Sequence, residues 1–261
     1  VMSNAGRRPL MAGNWKMNLN HRDANLLVQK LGASLTEKQL TDVEVVVLPP
    51  FVDIRTVQTA VDGDKLLIGY GSQDISQHAK GAYTGEVAGS MLKALGCSYA
   101  VVGHSERRAY HNEGDEVVNA KVKAALANEI TPILCVGEGL EIREAGTHVE
   151  YTVAQLDGGL KGLTEAEVDK IVVAYEPVWA IGTGKTATPE DAQEVIGALR
   201  ARIAALYPGG VADRVRILYG GSVKGSNTAG IMAKPDIDGA LIGGAALDAE
   251  DFVKICRFAE N

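Results

Sequence analysis

A repeated unit constrains the fold of this chain more than any other feature. Each unit has a short apolar run, a polar or glycine-rich loop, and a helical pattern. The runs are apolar at successive positions, as strands buried on both faces of a parallel sheet require. The predicted strands are Leu10–Ala12, Val43–Leu48, Leu66–Ile68, Tyr99–Val102, Ile133–Val136, Ile171–Ala174, Val215–Tyr219 and Gly239–Ile242.

The pattern after Thr188 is the clearest predicted helix between these runs. Thr188 can cap the first turn, Pro189 suits the first helical position, and the acids at 190 and 191 favour the positive end of the helix dipole. Pro208 and the two glycines after it end the helix. The residues predicted to face the sheet are Ala192, Val195, Ile196, Leu199 and Ile203.

Polar residues and glycines follow nearly every predicted strand. An open doubly wound sheet gathers its chemistry at one switch point, whereas a closed barrel brings all strand ends to one mouth. We therefore predict an α/β fold, a closed (β/α)8 TIM barrel with parallel strands surrounded by helices. A barrel typically has about 250 residues, so residues 1–261 are predicted to form one domain, with residues 1–8 as a poorly ordered extension. The strand ends carry Asn14, Lys16, Gln73, His104, Glu138, Glu176, Gly220-Gly221 and Gly243-Gly244.

Composition disfavours several classes of function. The formal net charge is −7 and no basic stretch offsets it, which disfavours nucleic-acid binding. The longest apolar runs have the length of strands, so no membrane span is predicted. Cys97, Cys135 and Cys256 are too few and too scattered for a disulfide framework or a metal cluster. Because residues 1–9 also lack the apolar core of a signal peptide, we predict a cytoplasmic protein with reduced thiols.

The segment YEPVWAIGTGKTAT, residues 175–188, has the parts of a catalytic base and its cover. From position alone, Glu176 would be a solvated acid at a strand end. However, Pro177 stiffens the backbone after it, and the apolar Trp179 and Ile181 can lie over the carboxylate. Gly182 lets backbone N–H groups approach a ligand closely. Since exclusion of water strengthens a carboxylate base, we predict that Glu176 accepts a proton under this cover.

Two further residues are predicted to share the mouth with Glu176. His104 precedes a short helical pattern, and a helix N-terminus favours the neutral imidazole, which can still donate a hydrogen bond to a carbonyl oxygen. Lys16 supplies a cation that suits an anionic substrate, and Glu106 could pair with it. A lone histidine or lysine at a strand end is more often structural or solvated, so both assignments depend on the barrel.

The glycine pairs after the last two strands indicate a phosphate site, because barrels often bind phosphate there through backbone N–H groups. The sequence GTGKT at 182–186 also suggests a nucleotide loop, but Trp179 stands where the phosphate-loop pattern requires glycine. The five residues EPVWA separate it from the strand, unlike a dinucleotide fingerprint. The sequence has no metal-binding motif, so a protein-bound metal is not predicted.

Motifs in a fixed order make the sequence resemble the triosephosphate isomerase family, over nearly the whole chain from Pro9 onwards. They are AGNWKMN at 12–18, GHSERR at 103–108, AYEPVWAIGTG at 174–184, YGGS at 219–222 and the pair Gly243-Gly244. The resemblance implies interconversion of dihydroxyacetone phosphate and D-glyceraldehyde 3-phosphate through an enediolate. This is a cofactor-free step of glycolysis and gluconeogenesis.

The resemblance also implies catalytic roles. Glu176 would move a proton between the two carbons, while neutral His104 would polarise the carbonyl and move protons between the oxygens. Lys16, helped by Asn14, would offset charge on the enediolate and the phosphate, and Glu106 would support Lys16.

Binding roles follow from the same resemblance. Ile181 and Leu241 would clamp Glu176 from its apolar side. The backbone N–H groups that would hold the phosphate, with Asn14 and Lys16 nearby, belong to Gly182, Ser222, Gly243 and Gly244.

The family is dimeric, and the segment Gln73–Glu86 resembles its interdigitating loop. Thr84 would reach the partner's Asn14 and the partner's Lys16, with Glu86 and Arg107 bracing the contact. Asp74 stands where many members have asparagine, and it would add a charge near that contact.

Two alternatives remain open. One is a Schiff-base aldolase with Lys16 as the nucleophile, which usually requires a lysine in an apolar pocket. The expected neighbours Asn14 and Glu106 disfavour it. The other is a barrel that binds phosphate without catalysis.

Overall fold

A closed barrel of parallel strands forms the centre of the computed structural model, which describes residues 6–260. The first strand pairs with both the second and the eighth, and this pairing closes the sheet. The predicted fold is therefore confirmed. The strands are β1 (Leu10–Asn14), β2 (Glu44–Leu48), β3 (Gly69–Ser72), β4 (Tyr99–Val102), β5 (Thr131–Val136), β6 (Val172–Tyr175), β7 (Arg216–Tyr219) and β8 (Gly239–Ile242).

Helices connect the strands and surround the barrel. They are α1 (His21–Ser34), α2 (Glu37–Asp42), α3 (Ile54–Asp64), α4 (Gly89–Ala94), α5 (Ser105–Tyr110), α6 (Asp115–Ala127), α7 (Leu140–Glu144), α8 (His148–Leu160), α9 (Glu165–Val168), α10 (Pro189–Leu206), α11 (Thr228–Met232) and α12 (Ala249–Cys256). Single 3₁₀ turns lie at Phe51–Asp53, Val178–Ala180, Val211–Asp213, Gly244–Leu247 and Phe258–Glu260. Between residues 6 and 260, no helix is both long enough and apolar enough to cross a bilayer.

Helix α10 begins and ends where its sequence predicts. Thr188 Oγ1 accepts a hydrogen bond from the Asp191 N–H at 3.0 Å, and Asp191 Oδ2 accepts from the Thr188 N–H at 2.9 Å. This reciprocal capping satisfies N–H groups that the first turn leaves without partners. The predicted apolar stripe is fully buried against the barrel, and it comprises Ala192, Val195, Ile196, Leu199 and Ile203.

The core has two layers because side chains alternate along each strand. In β5, Ile133 and Cys135 point into the barrel, while Leu134 and Val136 pack between the sheet and the helices. The interior is therefore filled with side chains rather than open, as is typical of eight-stranded barrels. At the carboxyl ends of the strands, the mouth of the barrel leaves room for a ligand.

The third strand was predicted at residues 66–68, and that prediction is wrong. Leu66 packs against the layer between sheet and helices, Leu67 is 53% exposed, and the strand begins at Gly69. Glycine has a poor strand propensity, but close pairing favours it here. A Cβ atom at Gly71 would lie 2.2 Å from the Tyr99 carbonyl oxygen. Contact with β4 therefore decides the location of β3, and a single-sequence pattern does not show that contact.

Part of the predicted N-terminal extension, residues 1–5, lies outside the described residues. Arg7 is buried, and its Nε donates a hydrogen bond to Asp238 Oδ1 at 2.7 Å. Arg200 Nη2 donates to Asp238 Oδ2 at 2.6 Å. Arg7 therefore ties the residues before β1 to those before β8, at the end of the barrel opposite the mouth.

Candidate active site

The carboxyl ends of the strands surround a cavity of about 410 Å³. Residues from widely separated parts of the chain meet in its wall, as the barrel topology predicts. The wall comprises Asn14, Lys16, His104, Glu176, Ile181, Gly220, Gly221, Ser222, Val223, Lys224, Leu241, Gly243, Gly244, Ala245 and Asp251.

Glu176 directly follows β6 and is only 2% exposed. Two hydrogen bonds from Ser105 hold its carboxylate. The Ser105 N–H donates to Oε1 at 3.0 Å, and the Ser105 hydroxyl donates to Oε2 at 2.8 Å. His104 Nε2 lies 3.1 Å from the same Oε2. The buried charge that the sequence placed here is therefore compensated by hydrogen bonds.

Sequence reasoning did not identify Ser105 as a site residue. A serine at the start of a helix usually caps its own first turn. Here its hydroxyl and N–H instead point across the mouth to Glu176. The only signal was its position directly after His104 in the GHSERR motif.

The hydrogen bonds of His104 define its tautomer. Nδ1 accepts a hydrogen bond from the Glu106 N–H at 3.2 Å, in the first turn of α5. An acceptor nitrogen carries no hydrogen, so the ring is neutral and its hydrogen lies on Nε2. Nε2 is the nitrogen that faces Glu176 and the cavity. His104 therefore presents a neutral hydrogen-bond donor to a ligand.

Lys16 is held in an unusual backbone conformation with φ of 53°. Its N–H donates to Asn14 Oδ1 at 2.9 Å, and its carbonyl accepts from Gln73 Nε2 at 2.8 Å. Its Nζ lies 2.7 Å from Glu106 Oε1. A lysine rarely adopts positive φ unless its surroundings impose it, so Asn14 and Gln73 hold this backbone conformation, while Glu106 holds the ammonium group.

Backbone N–H groups line the side of the cavity formed after β7 and β8. Within residues 6–260, the N–H groups of Ser222, Gly243 and Gly244 donate to no protein acceptor. Such N–H groups attract anions, since together they present positive partial charge. The predicted phosphate residues thus lie together here, except Gly182, which lies outside the cavity wall.

The segment over the mouth, residues 177–187, is called the lid below. Trp179 is buried, and the Arg143 guanidinium lies 4.8 Å from its ring centroid. The Thr183 hydroxyl donates to the Trp179 carbonyl at 2.6 Å. Residues 182–186 are exposed, and an added side chain at Gly182 would meet nothing within 4 Å. The base of the lid is therefore anchored, whereas its tip does not pack on the cavity.

Behind the site lies a second buried acid, Glu138, which faces away from the cavity. Its carboxylate accepts hydrogen bonds from the Tyr175 hydroxyl at 2.6 Å and from the Thr152 hydroxyl at 3.2 Å. Burial raises its pKa, although these hydrogen bonds oppose the rise. Next to it, a Cβ atom at Gly137 would lie 1.7 Å from the Glu176 carbonyl oxygen. Any other residue at position 137 would therefore displace the backbone of Glu176.

The segment Gln73–Glu86 forms a loop that projects from the barrel, called the arm below. Residues 79–86 are exposed, and the Ser76 hydroxyl donates to Glu86 Oε1 at 2.6 Å across its base. Thr84 lies on this exposed arm, away from the cavity of its own chain. A second cavity, of about 460 Å³, lies beside the first, and its walls include Lys16, Gln73 and Arg107.

The charge of Asp74 is compensated within its own chain. Its carboxylate lies 2.8 Å from Lys121 Nζ and 3.2 Å from Arg107 Nε. The same two cations also contact Glu113. Two acids and two bases therefore form one cluster, so Asp74 does not leave an isolated charge beside the second cavity.

Comparison with known proteins identifies the family of this chain. The family described as triosephosphate isomerase matches residues 9–259. The chain is 63% identical to the triosephosphate isomerase of Streptomyces coelicolor, over 98% of this chain and 99% of that protein. It is 60% identical to the enzyme of that name from Saccharopolyspora erythraea, over 97% of both chains. It is also 60% identical to the triosephosphate isomerase of Cutibacterium acnes, over 97% of this chain and 99% of that protein.

Proposed function

This chain belongs to the triosephosphate isomerase family and has triose-phosphate isomerase activity, and we propose that Glu176, His104 and Lys16 carry the reaction. The contact between Glu176 Oε2 and His104 Nε2, 3.1 Å apart in the wall of the cavity, is the main support. It brings together a proton acceptor and a neutral donor, which proton transfer next to a carbonyl group requires.

The substrate phosphate binds to the N–H groups of Ser222, Gly243 and Gly244, joined by Gly182 when the lid closes. The carbonyl oxygen then lies near His104 Nε2 and Lys16 Nζ. Glu176 removes a proton from the carbon beside the carbonyl, which leaves an enediolate. Glu176 returns the proton to the neighbouring carbon, while His104 moves a proton between the two oxygens. Lys16 stabilises the negative charge of the intermediate.

Ser105 holds Glu176 before the substrate binds. With the carboxylate hydrogen-bonded to Ser105 and in contact with His104 Nε2, its oxygens are occupied rather than directed at a substrate carbon. Glu176 must exchange these bonds for the substrate, and Ile181 and Leu241, which already line the cavity, clamp it from the apolar side.

The aldolase alternative is disfavoured by the Lys16 contact. Lys16 Nζ forms an ion pair with Glu106 at 2.7 Å. An ammonium group held by a carboxylate lacks the free electron pair that Schiff-base formation needs. Borohydride reduction in the presence of substrate tests this directly, since an aldolase would leave a covalent adduct on Lys16.

We further propose that the protein is a cytoplasmic homodimer in which each arm enters the second cavity of the other chain. Large apolar side chains surround that cavity, with Met17 95% exposed and Tyr110 79% exposed. Thr84 would then reach the partner's Asn14 and the partner's Lys16. Gln73, Glu86 and Arg107 would brace the contact. The three cysteines are buried and free, which suits a reducing compartment.

A coupled isomerase assay, run beside sedimentation, tests the proposal. Glu176→Asp withdraws the carboxylate by about one ångström, and such misplacement costs on the order of a hundredfold in turnover. Glu150→Asp, the same change on the exposed face of α8, should leave turnover intact. Unchanged turnover in Glu176→Asp would remove Glu176 as the base. Phosphate binding by the unaltered chain without turnover would support a non-catalytic barrel.

A further inference from the structure

The charged side chains that line the active-site cavity give a net negative wall unless Lys224 is counted. Glu176 and Asp251 place two carboxylates in the wall, and Lys16 places one ammonium group there. Lys16 is already paired with Glu106 at 2.7 Å. A phosphate monoester carries close to two negative charges at neutral pH, so Lys16 alone leaves this wall unfavourable to it. Lys224 is the remaining cation that lines the cavity.

The Lys224 side chain is available for a ligand. Among residues 6–260 its ammonium group makes neither a hydrogen bond nor an ion pair. Lys16 and Lys121 differ in this respect, since Lys16 contacts Glu106 and Lys121 contacts both Asp74 and Glu113. A cation that the fold leaves without a partner at the wall of an anion-binding cavity raises the local concentration of anions.

The backbone of Lys224 is fixed, although its side chain is not. Its N–H donates to Asn227 Oδ1 at 2.8 Å, and its carbonyl accepts from the Thr228 hydroxyl and from the N–H groups of residues 227 and 228. The next N–H, of Gly225, donates to Asp251 Oδ1 at 3.0 Å. Asn227 Nδ2 also donates to the Ser222 carbonyl at 3.1 Å. These bonds fix the backbone of the loop that carries both Lys224 and the Ser222 N–H.

We propose that Lys224 is a further phosphate-recognition residue, which draws the dianionic end of the substrate to the N–H groups of Ser222, Gly243 and Gly244. The inference rests on the proposed function of this cavity. Lys224 acts on the phosphate end, at the opposite side of the substrate from Glu176, so it changes capture of the substrate and leaves proton transfer alone. It therefore contributes to the preference for phosphorylated three-carbon sugars over unphosphorylated ones.

The test compares Lys224→Gln, Lys224→Arg and the unaltered protein across a range of salt concentrations. Lys170→Gln is the matched control, because Lys170 is exposed at the opposite end of the barrel, just before β6. Four quantities are measured: kcat and KM for D-glyceraldehyde 3-phosphate, the inhibition constant of inorganic phosphate, and kcat/KM for D-glyceraldehyde, which has no phosphate group.

At low salt, Lys224→Gln should lower kcat/KM for the phosphorylated substrate about three- to tenfold, mainly through KM. The inhibition constant of inorganic phosphate should rise by a similar factor. Both deficits should shrink as salt is added, since ions screen exposed charges. Lys224→Arg should retain kcat/KM, and glyceraldehyde turnover should change by less than twofold in Lys224→Gln.

Two results would overturn the role of Lys224. One is equal constants for Lys224→Gln and the unaltered protein at every salt concentration. The other is an equal loss with glyceraldehyde, which would indicate damage to the fold instead. Turnover by the unaltered protein is recorded in the same series, so failure of the proposed isomerase mechanism is distinguished from failure of this inference.

Discussion

At the scale of single residues, neighbouring groups hold the two side chains to which we assign the proton transfer. Glu176 accepts two hydrogen bonds, from the N–H and the hydroxyl of Ser105, and His104 Nε2 lies 3.1 Å from its Oε2. The Glu106 N–H occupies His104 Nδ1 and directs the remaining ring hydrogen to the cavity. The backbone at the start of α5 thus sets the chemistry of both residues.

His104→Gln tests the assigned donor. Glutamine retains an amide donor but cannot move a proton between oxygens, so turnover should fall on the order of a hundredfold or more. Phosphate inhibition should change little, because the phosphate N–H groups belong to other segments. His148→Gln is the control, since His148 pairs with Glu194 outside the cavity. A large loss of affinity for inorganic phosphate in His104→Gln would contradict the assignment.

The residue scale also shows where sequence reasoning reaches its limit. The residues at strand ends could be predicted, because a barrel fixes where each strand ends. Ser105 was missed because its bonds to Glu176 join residues 71 positions apart. The compensation of Asp74 by Lys121 was missed for the same reason, since 47 positions separate them. Contacts between distant segments leave no local pattern in one sequence.

At the scale of elements, the lid combines an anchored base with a free tip. Trp179 packs under Arg143, which also pairs with Asp191 of α10 at 2.8 Å. At the tip, Lys185 approaches Glu144 no closer than 3.7 Å, and both side chains are largely exposed. Weakly held surface loops of this kind open and close readily, whereas their buried ends stay in place.

Deletion of the lid tip, residues 181–185, tests its protective role. The enediolate next to a phosphate ester can expel the phosphate, and a closed lid should prevent this by holding the ester and excluding water. We expect the deletion variant to release inorganic phosphate from the substrate, as a phosphate assay would show. The intact chain should release little. If the product of the deletion variant stays free of inorganic phosphate, the protective role is wrong.

Elements also differ in how well the sequence predicts them. Helix α10 has a cap, a proline at its first position and a single apolar stripe, so its bounds follow from local chemistry. Strand β3 reads GYGS and has no such signal. The strand forms because β2 and β4 offer hydrogen bonds on either side of it. Tertiary pairing outweighs propensity there.

At the scale of the whole molecule, buried charges make stability depend on pH. Burial alone would raise the pKa of Glu113, but hydrogen bonds and charges from Lys121 and Arg107 outweigh it and hold the pKa below its ordinary 4.5. A lowered pKa stabilises the folded state above 4.5, and this contribution is lost as the pH falls through the folded value. The free energy of unfolding should therefore decrease in acid.

Urea unfolding at fixed protein concentration checks this prediction. Glu113→Gln should be less stable than the unaltered protein at pH 7, and this deficit should shrink in acid. Glu138→Gln is the contrast, because the pKa of Glu138 is raised. Ionisation of the buried Glu138 lowers the free energy of unfolding as the pH rises. The free energy of unfolding of Glu138→Gln should therefore increase relative to that of the unaltered protein as the pH rises. If the differences in unfolding free energy between each variant and the unaltered protein changed in the same direction with pH, the two assignments of charge would be inconsistent.

The central claim for the molecule is that Glu176 moves a proton that can exchange with solvent. The most direct measurement is conversion of D-glyceraldehyde 3-phosphate in deuterium oxide, with the dihydroxyacetone phosphate product examined by NMR. We predict deuterium on the carbon that receives the proton in a substantial fraction of the product, and none with Glu176→Gln, which should not turn over. Product that forms at the full rate without any deuterium would instead indicate direct hydride transfer between the carbons, and would contradict the account.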